Sequence, residues 1–202
     1  MRVTREAAQE ANRRALIRAA RTLISQVGPS VRVETIAEAA GLTTGAVYSI
    51  FGSKPELLVA VLADDIGRID AALAELAGSS MTLREAIEHY VDAWFASYSD
   101  DSLAQEEFEL HVFTLVAADA RLRAKLGAAL EAEVDGLAGL FADRLIDGSR
   151  PKRRTTTAEG RLIAAALKAT ITGFAVRHAI SPQPPELVRA SCRALTALVR
   201  EG

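Results

Sequence analysis

Apolar side chains recur at three- and four-residue intervals through most of the chain. Between residues 8 and 27, Leu16, Ala20, Leu23, Ile24 and Val27 form one stripe while Arg13, Arg14, Arg18 and Arg21 fall largely on other faces, the pattern of an amphipathic helix. Gly28-Pro29 stops it. Two short helical stretches follow, about 33–40 and 44–50, separated by Gly41-Leu42-Thr43. That spacing is the signature of a helix-turn-helix. Ser53-Lys54-Pro55-Glu56 reads as a capping box, in which Ser53 accepts from a free amide of the first turn and Glu56 reaches back to the Ser53 amide. A long fourth helix is therefore expected from Ser53 to about Ala77, ahead of Gly78-Ser79-Ser80.

Further boxes, Thr82 with Glu85, Ser102 with Gln105 and Thr156 with Glu159, mark later helix starts, and Pro184-Pro185 suits the first turn of a last one. The expected fold is all-α, with about nine helices and no strands. A three-helix head is joined by the long fourth helix to a C-terminal helical bundle. Residues 148–157, GSRPKRRTTT, are the least helical and most basic stretch of that bundle and read as a solvated, disordered loop in preference to a second nucleic-acid contact.

Charge sharpens this division. Residues 1–54 carry eight basic side chains against four acidic ones, a balance of +4, whereas the rest carries sixteen against twenty-two, a balance of −6. A positive segment on an acidic body suits a polyanion bound at one end. Half the residues are apolar and only 5% aromatic, which favours helices packed on small aliphatic side chains. The single cysteine, Cys192, excludes an intrachain disulfide and sits in an apolar pattern, so it is expected in a core or interface. The N-terminus lacks the apolar stretch of a signal peptide and no apolar run approaches the ~18 residues of a membrane span. A soluble, cytoplasmic protein with no membrane partner is the expectation.

Residues 32–58, RVETIAEAAGLTTGAVYSIFGSKPELL, carry the chemistry. Ile36, Val47 and Phe51 can seal a small helix cluster, and Ala37 and Ala40 let the second and third helices approach closely. Gly41 suits a left-handed turn, after which Thr43 can cap the third helix. That helix, Thr44 to Ile50, exposes small or polar groups beside one aromatic. An α-helix fits the major groove, where Thr44 can bond base edges or, with Ala46, touch a thymine methyl, while Tyr48 reaches a phosphate. Gly45 allows close backbone approach. Lys54, in the first turn of the fourth helix, offers a charge and free amides to a phosphate. Arg32, Thr43 and Ser49 complete the candidate DNA-binding set.

The set Ile36-Ala37, Ala40-Gly41, Gly45, Tyr48, Phe51 and Lys54 with Leu57 resembles the DNA-binding domain of the tetracycline-repressor-like (TetR) family over about residues 12–60. The resemblance implies a ligand-responsive regulator, most often a repressor, that binds near-palindromic double-stranded DNA as a homodimer until a small-molecule effector releases it. It implies a DNA-binding domain over 1–52 and a ligand-binding and dimerisation domain over 53–202. Two positions depart from the family's pattern. Arg32 stands where Ser or Thr commonly caps the second helix, a loss of about 1 kcal/mol unless Ser30 or water substitutes, though it can bring a cation to a phosphate. Ile50 stands where His or Tyr is frequent, which favours an apolar contact or packing there.

Beyond residue 80 the resemblance is one of architecture. Trp94, Tyr98, Phe108, His111, Phe113, Phe174 and His178 are candidates for lining an effector cavity, since such pockets join apolar walls to a few polar groups. Residues 158–180 and 185–200 are apolar on more than one face and want burial on two sides. The family's last two helices pack as a four-helix dimer interface, and Leu162, Ala166, Ile171, Leu195 and Leu198 suit it. Glu107 with His111, and His89 with Asp92 or Glu85, fall short of a metal site by spacing, so neither metal nor cofactor is expected. No nucleophile with a base and no carboxylate pair points to an enzyme. The alternative is a helical adaptor or ligand-binding module without specific DNA binding.

Overall fold

The computed structural model describes residues 4–74, 77–97, 102–149, 151–178 and 180–199; Tyr98 lies outside them. Among the described residues the chain forms nine α-helices: α1 Arg5–Val27, α2 Val33–Ala39, α3 Thr44–Phe51, α4 Lys54–Ala74, α5 Leu83–Ser97, α6 Ser102–Ala118, α7 Ala120–Phe141, α8 Thr157–His178 and α9 Pro185–Ala194. A 3-10 turn, Leu195–Val199, completes what the apolar pattern suggested as one final helix. No strand occurs among these residues, only an isolated antiparallel bridge between Leu145 and Arg154.

Caps decide where the helices begin. Thr4, in extended conformation, accepts the Ala7 amide at 3.2 Å, so α1 starts at Arg5, three residues before the stretch expected from periodicity. Asp119 accepts the Arg121 and Leu122 amides at 2.8 and 3.2 Å and starts α7. The boxes at α5 and α8 are made in both directions: Glu85 Oε2 takes the Thr82 amide at 2.8 Å and Glu159 Oε2 the Thr156 amide at 2.8 Å. The box at α4 is only half made. Ser53 Oγ accepts the Glu56 amide at 3.3 Å, but the Glu56 carboxylate turns away to Lys125 at 2.7 Å and Arg121 at 3.4 Å on α7. A charged partner outweighs the return bond to the Ser53 amide.

The chain divides into two compact units, Met1–Asp65 with Asp100–Ala128, and Ile66–Ser99 with Ala129–Gly202. Packing therefore divides the chain elsewhere than the expected division of roles at residue 52. The reason lies in α4 and α6: Leu57, Leu58, Val61 and Leu62, then Phe108 and Val112, are buried with Leu16, Ile17, Ala20 and Ile24 of α1 in the first unit's core. Val27 falls outside this core and is exposed, because its stripe position comes at the last turn, where Gly28, at φ 75°, ends the helix. Arg21 ties α1 to α4, with its guanidinium on Asp64 and, at 2.5 Å, on Asp65. Burial works against that charge, and the two carboxylates outweigh it, so the Arg21 pKa is raised.

In the second unit α5 buries Leu83, Ala86, Ile87, Tyr90, Val91 and Trp94 on one stripe, and α8 buries Ile163, Ala164, Leu167, Ile171 and Ala175. Gly160 makes close approach possible: a Cβ there would stand 2.6 Å from the Ala138 carbonyl oxygen and 2.9 Å from the Ala142 nitrogen. Cys192 is fully buried in this core, and desolvation pushes its thiol up to about 11. The reading of residues 148–157 as a disordered loop is corrected by three staples. Thr155 is buried, its hydroxyl donating to the Phe141 carbonyl at 2.5 Å and accepting the Arg144 amide at 2.9 Å. Arg153 pairs with Glu159 at 3.0 Å and donates to the Val199 carbonyl, and Arg154 donates to the Asp143 carbonyl at 2.5 Å. Arg153 and Arg154, two of the basic side chains that suggested solvation, instead find acceptors within the unit.

Candidate nucleic-acid interface

The corner between α2 and α3 is set by backbone bonds. The Leu42 amide donates to the Ala37 carbonyl at 2.9 Å and the Gly41 amide to Glu38 at 2.9 Å, a Schellman closure with Gly41 at φ 68°. A Cβ on Gly41 would meet nothing within 4 Å, so the left-handed conformation and not lack of space asks for glycine here. Thr43, extended, accepts the Ala46 amide at 3.2 Å and caps α3. Val47 and Phe51 bury one face of α3, and the Arg13 guanidinium of α1 lies 5.6 Å from the Phe51 ring centroid.

The opposite face is open. Tyr48 is 48% exposed, Thr43, Gly45 and Ser49 are exposed, and Thr44 and Ala46 are half-buried. Gly45 has only Thr43 Oγ1 near its missing Cβ, at 3.7 Å, so nothing inside the protein requires its smallness. Ile50 is half-buried, in keeping with a packing contribution. Arg32 is the N-cap of α2 in extended conformation, exposed and with no side-chain capping bond, so Ser30 does not substitute for the missing hydroxyl. Lys54 opens α4, half-buried, and desolvation pulls its ammonium below the usual lysine range. The candidate DNA-binding residues other than Arg32, which stands at the start of α2, thus lie on α3 or next to its ends, in one unit.

The residues suggested for an effector cavity are divided between the two units. Phe108, His111 and Phe113 belong to the first unit, with Phe108 in the core and His111 exposed; Trp94, Phe174 and His178 belong to the second. His178 is already engaged, its Nδ1 accepting the Gln183 amide at 3.0 Å. Trp94 is buried edge-on to Phe95, with ring centroids 4.9 Å apart. Of the residues suggested for a dimer interface, Leu162 and Leu198 are 49% and 52% exposed and Ala166 and Leu195 half-buried. Ile171 is a correction: it is buried within its own unit's core, because α8 turns that side toward α5 and α7.

Several ionic groups escaped the sequence reading, among them Arg21 with Asp64 and Asp65, Glu56 with Arg121 and Lys125, and Glu133 with Lys168. None of these joins residues near in sequence, so no spacing rule finds them. No single helix among the described residues is long and apolar enough to cross a membrane.

Residues 16–61 match the family model for bacterial regulatory proteins of the tetR family. No curated protein matches the chain. Among solved structures, a TetR transcriptional regulator from Rhodococcus sp. RHA1 superposes with a TM-score of 0.69 at 17% identity, over 96% of this chain and 100% of that one. A putative transcriptional regulator from the same organism gives 0.68 at 21%, over 94% and 98%. The fatty acid degradation regulator FadR from Bacillus halodurans gives 0.60 at 18%, over 94% and 96%. At these identities the likeness concerns the fold, which is all-helical among the described residues, over 94–96% of the chain. The family match lies on the corner, cap and exposed face described above, so the helix-turn-helix head is similar to that of bacterial regulatory proteins of the tetR family.

Proposed function

We propose that the protein is a ligand-responsive repressor that binds a near-palindromic operator as a homodimer and is released from it by a small-molecule effector. The observation that carries the reading is the exposed face of α3, with Thr44, Gly45, Ala46, Tyr48 and Ser49 presented outward while Val47 and Phe51 anchor the helix behind them. In this reading α3 enters the major groove. Thr44 and Ala46 read base edges and methyl groups, and Tyr48, Lys54 and Arg32 hold phosphates. An anion beside Lys54 restores to its ammonium what burial removes.

Leu162 and Leu198, both large, apolar and exposed, support a second copy of the chain against the α8 side of the second unit. Two heads spaced by one DNA turn, ~34 Å, then meet consecutive major grooves. Residues 1–52 would bind DNA, and residues 53–202 would sense the effector and dimerise. Release follows if the effector favours a dimer whose heads are wrongly spaced, and its power to do so is limited by its differential affinity for the two states. The site of action is the cytoplasm, where the DNA is.

Selection of bound sequences from a random DNA pool, followed by footprinting of variants at fixed salt, tests the assignment. Tyr48→Ala and Lys54→Ala are expected to weaken binding to every sequence, and Lys54→Ala to lower the salt slope by about one phosphate contact. Substitution of Thr44 is expected to change which sequence is preferred. Weak retardation without sequence preference would mark the chain as an adaptor and defeat the reading.

A further inference from the structure

Among the described residues, a buried side-chain oxygen without a hydrogen-bond partner lies in the second unit. Glu133 of α7 is 1% exposed. Lys168 of α8 brings its Nζ to 2.5 Å from Glu133 Oε1, and the Tyr90 hydroxyl of α5 stands 3.4 Å from the same oxygen. Lys168 also donates to the Tyr90 hydroxyl at 3.1 Å, with its ammonium 5.8 Å from the ring centroid. Three helices thus converge on one carboxylate oxygen. The other, Oε2, is sealed from solvent with no hydrogen-bond partner among the described residues.

An acceptor buried without a donor is costly, and a buried ion pair is often no more stable than apolar side chains of similar size. The core around the triad is apolar, since Tyr90 shares one cluster with Trp94, Leu137, Leu167 and Ile171. An apolar surround with one unsatisfied polar group is the composition of a small-molecule site. We infer that Glu133 Oε2 is the polar anchor of the effector site, and that the effector is a neutral molecule with an apolar body and a hydroxyl or amide hydrogen to donate.

The charge arrangement selects this class. Glu133 and Lys168 neutralise each other, so a ligand carboxylate meets the bare Oε2 and is repelled. A ligand ammonium gains Oε2 but shares the carboxylate with Lys168, a second cation, in a place where each ion gives up its water. A neutral donor completes the carboxylate without adding charge. This inference rests on the effector-gated reading above, since it names the chemistry of that effector.

Benzyl alcohol, benzylamine, benzoate and toluene share a ring and differ in the group presented to Oε2. Their binding to the full-length chain can be measured by thermal shift and calorimetry. Benzyl alcohol is expected to bind about tenfold or more tightly than toluene, the worth of a hydrogen bond to a charged acceptor, and the two charged probes more weakly than the alcohol. Because single substitution strands a charge, the control is Glu133→Leu with Lys168→Leu, which removes the pair together and is expected to fold. In it the alcohol's advantage over toluene should vanish. No such advantage in the natural chain, or its survival in the double variant, overturns the inference. Binding of the selected DNA is followed in parallel: its absence sinks the regulator reading, whereas an intact DNA complex without alcohol preference sinks only the anchor.

Discussion

The two units hold their internal charges in opposite ways. In the first, Arg21 lies between α1 and α4 with two carboxylates, and its side chain keeps 24% of its exposure while Asp64 keeps 40%. In the second, Lys168 keeps 15% and Glu133 only 1%, and one carboxylate oxygen goes without a donor. The first arrangement is a link that water still reaches, tolerant of the loss of either partner. The second is sealed, so its energy depends on both members being present. The comparison separates a fastening at a helix crossing from a polar point in an apolar core.

The sharpest way to break this contrast is Lys168→Leu alone. It leaves the Glu133 carboxylate buried and unpaired and is expected to cost roughly 3–5 kcal/mol in denaturant unfolding, most of it recovered when Glu133→Leu is added. A loss no greater than that of an exposed pair would mean that water reaches Glu133. Next in size is the alkaline response of Cys192, a buried thiol of the second unit. Its thiol holds its proton up to about 11 when folded, whereas an unfolded thiol gives it up near ~8.5. The contribution is therefore complete below the unfolded value and is lost as pH rises through the folded one, amounting to about 3 kcal/mol at the upper end. Unfolding at mildly and strongly alkaline pH, compared with Cys192→Ala, isolates it: the variant should lose less stability over the same window. Smallest is Arg21→Leu, expected to cost about 1 kcal/mol or less, with a deficit that shrinks as salt is raised. A salt-independent loss of several kcal/mol would show that the link is sealed after all and erase the distinction between the units.

The candidate DNA-binding face was legible because everything that makes it is local. Gly41, Thr43, Val47 and Phe51 act on neighbours within one or two turns, so their spacing already encodes a corner, a cap and a two-faced helix. The capping boxes of α5 and α8 were legible for the same reason. Where a residue had a distant rival for its attention, the local reading failed. Glu56 left its box for Lys125 and Arg121, Arg153 turned from solvent to Glu159 and the Val199 carbonyl, and Arg154, though exposed, took the Asp143 carbonyl. The Glu133 triad had no local sign at all, since its three members come from three helices and each looks like an ordinary surface or core residue by itself.

Apolar periodicity, the capping pairs and the glycine corner determined, from the sequence alone, that the described elements are helices and that α3 presents one polar face. These depend on interactions whose reach is a turn or two of backbone, which a linear string records directly. Tertiary structure alone decided which charges are paired, that the basic loop is stapled, that Ile171 serves its own core, and that one oxygen of Glu133 is shut away without a donor. Such outcomes depend on which helices meet and how completely they exclude water, and both are properties of the packed chain.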